Sequence, residues 1–163
     1  MMRFLIMSTL AFLSVSFIYG QTDTVSPIAD RYKTKKFDVA IFPASYLAFV
    51  SQPRFTPTRQ EIDEAENALR INLKVLNKGR INQSSTPVIH RKLRKYKRQY
   101  FGYVTQNGQR ILLINFFWSK NIDFKDRWLK EAINFHDGGS YYWQVQFNLD
   151  EAALFDLNIN SYA

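Results

Sequence analysis

The chain contains no cysteine. It therefore has no disulfide bond, no thiolate nucleophile and no thiolate metal ligand, and no lipid can be attached through an N-terminal cysteine. Stability must come from packing of the core instead. The 163 residues are enough for one domain with a well-buried interior.

Histidine is nearly as scarce, with two residues. His136 is followed by Asp137 and two glycines, whereas His90 stands apart. A protein metal site needs about three ligands such as imidazole or carboxylate, and no His-x-x-x-His spacing occurs, so we predict no metal site. Asp137 can accept backbone N–H bonds and the glycines permit positive φ, which is typical of a turn. A catalytic base formed by His136 or Asp137 is the alternative.

Motifs for other kinds of chemistry are also missing. The sequence has no Gly-rich phosphate loop, no Gly-x-Ser-x-Gly nucleophile elbow and no zinc motif. We therefore predict no cofactor, and the sequence favours binding over catalysis.

Long apolar runs are confined to the N-terminus. Residues 4–19 carry no charge, follow Arg3 and end before Gly20, a plausible cleavage point. A short uncharged run with these flanks is typical of a secretory signal peptide. We predict a signal peptide at residues 1–20, export to the periplasm or the extracellular space, and no lipoprotein anchor.

Positive charge, by contrast, is abundant. The net charge is +8, from 22 Lys and Arg against 14 Asp and Glu. A basic exported protein attracts anionic glycans, membrane surfaces and acidic proteins, and charge alone does not choose among these partners. No dedicated nucleic-acid motif is present. The charge is densest in residues 90–100, "HRKLRKYKRQY", which we call the basic segment.

The basic segment is the predicted ligand-binding site. Cations bind phosphate or carboxylate groups, and aromatic rings stack on bases or sugar rings. Two alternatives stay open: an edge strand that its charge protects from pairing, and a helix that starts at Pro87 after Thr86. The candidate residues are Arg91, Lys92, Arg94, Lys95, Tyr96, Lys97, Arg98 and Tyr100.

One long helix is predicted after a polar tether at residues 21–36. It starts either at Thr56 with Pro57 or at Thr58, whose capping box uses Glu61. Its apolar residues recur at helical spacing, and Gly79 is suited to end it.

Four antiparallel strands are predicted after the helix. Asn107-Gly108 predicts a hairpin with a type I′ turn, and the almost continuously apolar residues 111–118 predict a strand that is buried on both faces or lies centrally in the sheet. Further strands are predicted at residues 140–149 and 154–161, the last with Phe155, Leu157 and Ile159 facing inward. Residues 128–135 are predicted to form another strand or the arm of a bent strand.

This order predicts an α+β fold in which one long helix packs on a curved antiparallel sheet of about four strands, within a single domain at residues 37–163. It resembles the cystatin-like architecture and the related NTF2-like cone. The stretches "YKRQYFGYVTQNGQRILLINFF" and "DGGSYYWQVQFNLDEAALFDLNINSYA" look like small exported proteins of Gram-negative bacteria without assigned activity. Residues 144–148 depart from the Gln-x-Val-x-Gly hairpin of cystatins, so the resemblance does not imply protease inhibition.

These observations predict an exported, non-catalytic binding module that contacts a polyanion or a partner protein through the basic segment. The alternative is an NTF2-like small-molecule binder or enzyme. Its pocket would lie between helix and sheet and would use His136 or Asp137.

Overall fold

A computed structural model describes residues 29–46, 51–80, 83–120 and 127–161. The predicted signal peptide lies outside these residues. The strands are β1 (Asp30–Lys33), β2 (Asp38–Ile41), β3 (Arg54–Phe55), β4 (Tyr96–Val104), β5 (Arg110–Trp118), β6 (Tyr142–Asn148) and β7 (Ala153–Ile159). The helices are α1 (Arg59–Leu76) and α2 (Ile89–Lys92), and 3₁₀ turns lie at Leu93–Lys95, Arg127–Leu129 and Gly139–Tyr141.

All seven strands belong to one sheet. Its order is β1-β2-β4-β5-β6-β7, and β3 also pairs with β4. The strands β2 and β4 run parallel, with Val39 opposite Arg98. The other neighbours run antiparallel.

The predicted fold class is wrong. The described chain is mostly sheet, with seven strands, one 18-residue helix and a 7-residue helical segment, rather than one long helix on four strands. The prediction missed β1 and β3, because strands of two to four residues are too short to show a clear alternation. Residues 38–42 indicate a short strand that Pro43 would end, and β2 forms there, but the predicted four-strand sheet did not include it. Residues 30–33 lie in the predicted tether but pair with β2, so the sheet starts before residue 37.

The helix α1 begins at the second of the two predicted positions. Thr58 is the N-cap: its hydroxyl accepts from the Glu61 amide at 3.3 Å, and the Glu61 carboxylate accepts from the Thr58 amide at 2.8 Å. This capping box satisfies two amides that the first turn would leave without partners. The buried stripe of α1 contains Ile62, Ala65, Ala68, Leu69 and Leu73.

The hairpin between β4 and β5 forms where Asn107-Gly108 predicts it, but its turn is of another type. Gly108 has φ of +81°, whereas Asn107 is not among the residues with positive φ. The Gly108 amide donates to the Thr105 carbonyl at 3.0 Å. One left-handed glycine after a turn is typical of a longer hairpin loop, whereas a type I′ turn needs positive φ at both central residues.

Two hydrophobic clusters lie on opposite faces of the sheet. The strand β5 is buried from Ile111 to Phe117, which confirms the prediction of a strand covered on both sides. The first cluster packs α1 against one face, around Leu112, Phe116 and Trp143. The second lies on the other face, around Phe42, Phe101 and Trp128.

Residues 127–135 cover this second face and do not form the predicted strand. They start with a 3₁₀ turn and are held by buried amide side chains. Gln99 donates to the carbonyls of Trp128 and Glu131, each at 2.7 Å. Asn115 donates to the Ile133 carbonyl at 2.6 Å. Side-chain hydrogen bonds therefore replace strand pairing here.

Two of the three residues predicted to face inward on β7 are buried, and the third is not. Leu157 and Ile159 are buried, but Phe155 is 38% exposed. The pairing of β6 and β7 has a bulge near Gln146, and Asp156 has φ of +50°. A bulge inserts one residue and shifts the alternation, so Phe155 faces away from the first cluster.

Candidate functional site

A groove of about 770 Å³ lies between α1 and the first half of the basic segment. It is lined by Lys36 and Phe37, by one face of α1, by residues 90–95 and by Arg98. We call it the basic groove. The face of α1 contributes Asp63, Glu66, Asn67, Leu69, Arg70 and Lys74.

The charges that line the basic groove are mostly positive. Two carboxylates, Asp63 and Glu66, face eight cationic side chains. Seven of these cations are exposed, and none forms an ion pair with any other described residue. Clefts lined by one sign of charge concentrate counter-ions. The seven exposed cations are Lys36, Arg70, Lys74, Arg91, Lys92, Arg94 and Lys95.

Arg98 lies at the base of the basic groove and is 1% exposed. Its Nε lies 2.9 Å from Glu66 Oε1, and the Tyr100 hydroxyl donates to the same oxygen at 2.8 Å. Its terminal nitrogens donate to the carbonyls of Leu93 at 3.1 Å and Tyr96 at 3.3 Å. Arg98 therefore ties the basic segment to α1.

Burial governs protonation in this network. It raises the pKa of the Glu66 carboxyl, while the Arg98 guanidinium and the Tyr100 hydroxyl oppose that rise. Burial and the neighbouring Glu66 carboxylate also raise the pKa of Tyr100 well above its usual value. Tyr100 therefore stays protonated and donates its hydrogen bond to Glu66.

A second set of side chains holds the start of the basic segment. Asn77 and Gln83 exchange amide hydrogen bonds at 2.7 and 3.1 Å, and Asn77 Nδ2 lies 3.0 Å from His90 Nδ1. Gln83 Oε1 also accepts from the Ile89 amide at 2.9 Å. Because this network assigns Asn77 Nδ2 as a donor, His90 Nδ1 is the acceptor and the neutral ring carries its proton on Nε2.

The environment of His90 disfavours its charged form. Partial burial lowers the pKa of the imidazole, and the nearby cations Arg91 and Lys74 lower it further. His90 therefore contributes a neutral ring to the lining of the basic groove near neutral pH.

A third contact fixes the chain just before α2. The fully buried Ser140 places its hydroxyl 2.8 Å from the Thr86 hydroxyl and donates to the Pro87 carbonyl. The Tyr96 hydroxyl donates to the Ser140 carbonyl at 2.7 Å. The residues just before α2 and the first residue of β4 are thus both attached to the 3₁₀ turn that precedes β6.

The structure divides the predicted ligand-binding residues into two groups. Residues 91–95 continue from α2 into a 3₁₀ turn beside the basic groove, whereas residues 96–100 belong to β4. Lys97 lies partly buried on the second face of the sheet, 4.4 Å from the centre of the Trp128 ring. The exposed group is Arg91, Lys92, Arg94 and Lys95, and the buried group is Tyr96, Arg98 and Tyr100.

Neither alternative for the basic segment describes it fully. The strand β4 is an interior strand between β2 and β5, so its charges do not protect an edge. A helix does form, but its N-cap is Val88 rather than Thr86.

Three cations of the basic groove come from outside the basic segment. Arg70 and Lys74 are four residues apart on α1 and therefore share a face; this spacing is visible in the sequence. Lys36 lies in the turn between β1 and β2, and it could not be placed without those strands.

His136 and Asp137 are exposed and line neither the basic groove nor the second described cavity. Gly138 and Gly139 have φ of +84° and +56°, which confirms the predicted turn. The Asp137 carbonyl accepts from Asn160 Nδ2 at 3.1 Å. Within the described residues, no group of three or more His, Asp or Glu side chains is arranged to hold a metal ion.

No known protein family, no curated protein and no solved structure matches the chain. None of the helices in the described ranges is long and apolar enough to span a bilayer.

Proposed function

We propose that the protein is a non-catalytic module that binds an anionic ligand in the basic groove. One observation carries the proposal: seven exposed cations surround a single groove and none has an ion-pair partner among the described residues. A ligand with several negative charges would neutralise several of them at once.

Two of the three groups in the basic groove that could act as bases have their lone pairs engaged: Glu66 pairs with Arg98 and accepts from Tyr100, and His90 Nδ1 accepts from Asn77. The third, Asp63, accepts from the Tyr32 hydroxyl at 3.2 Å but is an exposed carboxylate with further lone pairs, a single such group beside seven exposed cations. A general base needs a free lone pair within reach of the proton that it removes. Binding therefore explains the lining of the basic groove better than catalysis does.

Export is part of the proposal. The signal-like residues 1–20 would bring the module to the periplasm or beyond. There it would meet anionic glycans, lipid headgroups and acidic proteins.

Retention on immobilised heparin tests the basic groove. We expect wild-type protein to bind at low salt, because each cation that contacts the polyanion releases counter-ions. The double variant Arg91→Gln/Arg94→Gln removes two exposed cations of the basic groove, so it should elute at clearly lower NaCl.

The matched control is Lys120→Gln/Lys130→Gln. It removes the same charge from two exposed residues outside the basic groove and should elute close to wild type. If the two double variants elute together, retention reflects overall basicity and the proposal is wrong.

A further inference from the structure

The basic groove is elongated, and its length bears on the kind of anion that fits. Its lining residues on α1 run from Asp63 to Lys74. At about 1.5 Å per residue these eleven steps span roughly 16 Å. A small anion such as phosphate would reach only a fraction of this length.

Cations line both sides of the groove at the Arg70–Lys74 end of this stretch, whereas its other end on α1 carries the carboxylates Asp63 and Glu66. Arg70 and Lys74 lie on α1, with β-carbons about 5–6 Å apart for such a pair, and Arg91 and Arg94 are among those on the opposite side. Like charges at this spacing repel one another, and a single compact anion relieves only the nearest pair. A chain with repeated charges relieves the repulsion on both sides.

The shape of the basic groove argues against a membrane surface. Its cations are divided between α1 and residues 90–95, with the apolar side chains of Leu69, Leu93 and Phe37 also in the lining. A flat bilayer would contact only the two rims. A flexible chain can enter and contact both sides.

The aromatic residues argue against nucleic acid. Tyr96 and Tyr100 of the basic segment are 2% and 0% exposed, so neither can stack on a base. Of Phe, Tyr and Trp, the lining contains Phe37, which is itself buried and packs edge-on against Tyr32 with 5.3 Å between the ring centres. Binding of single strands depends on several exposed rings for stacking, and the lining offers one partly buried imidazole, that of His90.

We propose, building on the anion-binding function above, that the basic groove takes a linear anionic polysaccharide. Its sulfate, phosphate or carboxylate groups pair with the cations of α1 on one side and of residues 91–95 on the other. The C–H faces of its sugar rings contact the partly exposed side chain of Leu93 between them.

Calorimetric titration of the full chain, in 150 mM NaCl (about physiological ionic strength), tests this proposal. The probes are a heparin dodecasaccharide, a heparin disaccharide, an oligo-dT of matched charge and vesicles rich in phosphatidylglycerol. We expect the dodecasaccharide to bind at least about tenfold more tightly than the disaccharide or the oligo-dT, because it alone is a long chain of pyranose rings that themselves carry the repeated charges.

Each other outcome overturns a specific statement. Equal affinity for the disaccharide means that the site is built for a compact anion. Equal or tighter binding of oligo-dT means a nucleic-acid site, and binding to vesicles alone means a membrane surface. If no probe binds, the anion-binding function itself fails.

Variants on the α1 side separate this inference from the simpler proposal. Arg70→Gln/Lys74→Gln should weaken dodecasaccharide binding at least about fivefold, as Arg91→Gln/Arg94→Gln does, because the chain contacts both sides. Lys120→Gln/Lys130→Gln is again the control, and circular dichroism checks that every variant is folded. If the α1 variant binds like wild type while the other variant is weakened, the ligand lies on the basic segment alone and the inference is wrong.

Discussion

Arg98 and Glu66 form the most buried of the ion pairs between described residues, with side chains 1% and 8% exposed. Removing two charges from water is costly, and their attraction offsets this cost only when further hydrogen bonds satisfy both groups. Tyr100 and the carbonyls of Leu93 and Tyr96 supply those bonds. Each partner of the pair therefore depends strongly on the other.

The change Glu66→Gln should lower the free energy of unfolding by about 3 kcal/mol, because it leaves a buried guanidinium without a counter-charge. Urea denaturation measures the loss. The amide oxygen of the new side chain can still accept the hydrogen bond of the Tyr100 hydroxyl. The loss of unfolding free energy therefore measures the effect of removing the negative charge. Asp30→Asn, in the exposed pair of Asp30 with Arg59, is the control and should cost less than about 1 kcal/mol.

The double variant Glu66→Gln/Arg98→Met tests the coupling. It should lose clearly less stability than the sum of its two single variants, because neither charge is then buried alone. Strictly additive losses would show that the two residues act independently.

His90 should make stability depend on pH. Its pKa is lower in the folded protein than its ordinary value of 6.5, so the unfolded chain binds more protons between these two values. The contribution of His90 is therefore present above about pH 6.5 and is lost as the pH falls through this window. Urea denaturation between pH 7.5 and 5 measures the effect.

The variant His90→Gln should show a smaller loss on acidification than wild type. The matched control is His136→Gln, which changes the other, exposed histidine. It should keep the wild-type profile. An unchanged profile for His90→Gln would mean that other groups cause the pH dependence.

At the scale of elements, the turn between β6 and β7 contains a strained residue. Ala152 is exposed and has φ of +52°, a conformation that costs an L-residue about 1 kcal/mol or more. Ala152→Gly should therefore raise the free energy of unfolding by about 0.5–1 kcal/mol. The denaturation midpoint reports the gain.

The neighbouring change Ala153→Gly is the control for this turn. Ala153 lies in β7 and is paired with Asn148, where glycine weakens a strand. It should lower stability. A loss of stability in both variants would show that relief of left-handed strain at Ala152 does not outweigh the added freedom of the unfolded chain.

Elements with a long, regular pattern could be predicted from the sequence. The capping box and apolar stripe of α1, the β4–β5 hairpin and the alternation in β6 are local signals. The strand β3 and the position of β2 in the sheet are defined by a partner distant in sequence, as when Phe55 pairs with Gly102, whereas β1 pairs with the neighbouring β2 but is only four residues long. Residues 127–135 are held by the side chains of Gln99 and Asn115, and no local pattern shows such contacts.

Only part of the basic groove could be predicted from the sequence, because its lining also depends on contacts between residues distant in sequence. The density of charge indicates residues 91–95, which are exposed on a helical turn. It does not distinguish them from Arg98, which is buried because its partner Glu66 lies on α1, 32 positions earlier. Whether a charge is a surface group or a core group depends on this distant partner.

At the scale of the whole molecule, the two hydrophobic clusters share their strands. Residues of β4 and β5 contribute to both: Tyr100 and Phe116 to the first, Phe101 and Phe117 to the second. Loss of either strand would disrupt both clusters. We therefore expect the domain to unfold in one cooperative transition.

Variants with a single tryptophan test this cooperativity. With Trp118 replaced by Phe, a further Trp143→Phe change leaves Trp128 in the second cluster, and Trp128→Phe leaves Trp143 in the first. In each variant the fluorescence and far-ultraviolet circular dichroism curves should coincide. If the Trp128 fluorescence changes at a lower denaturant concentration than the circular dichroism does, residues 127–135 unfold as an independent unit.

The parallel pairing of β2 with β4 sets an order of assembly along the chain. Val39 lies opposite Arg98, which follows it by 59 positions. A chain that emerges N-terminus first presents the β1–β2 pair before β4 exists, and closing so long a loop costs entropy before the β2–β4 pairing is gained. We therefore expect the β2–β4 pairing to form late, so that the C-terminal half of the chain completes the sheet.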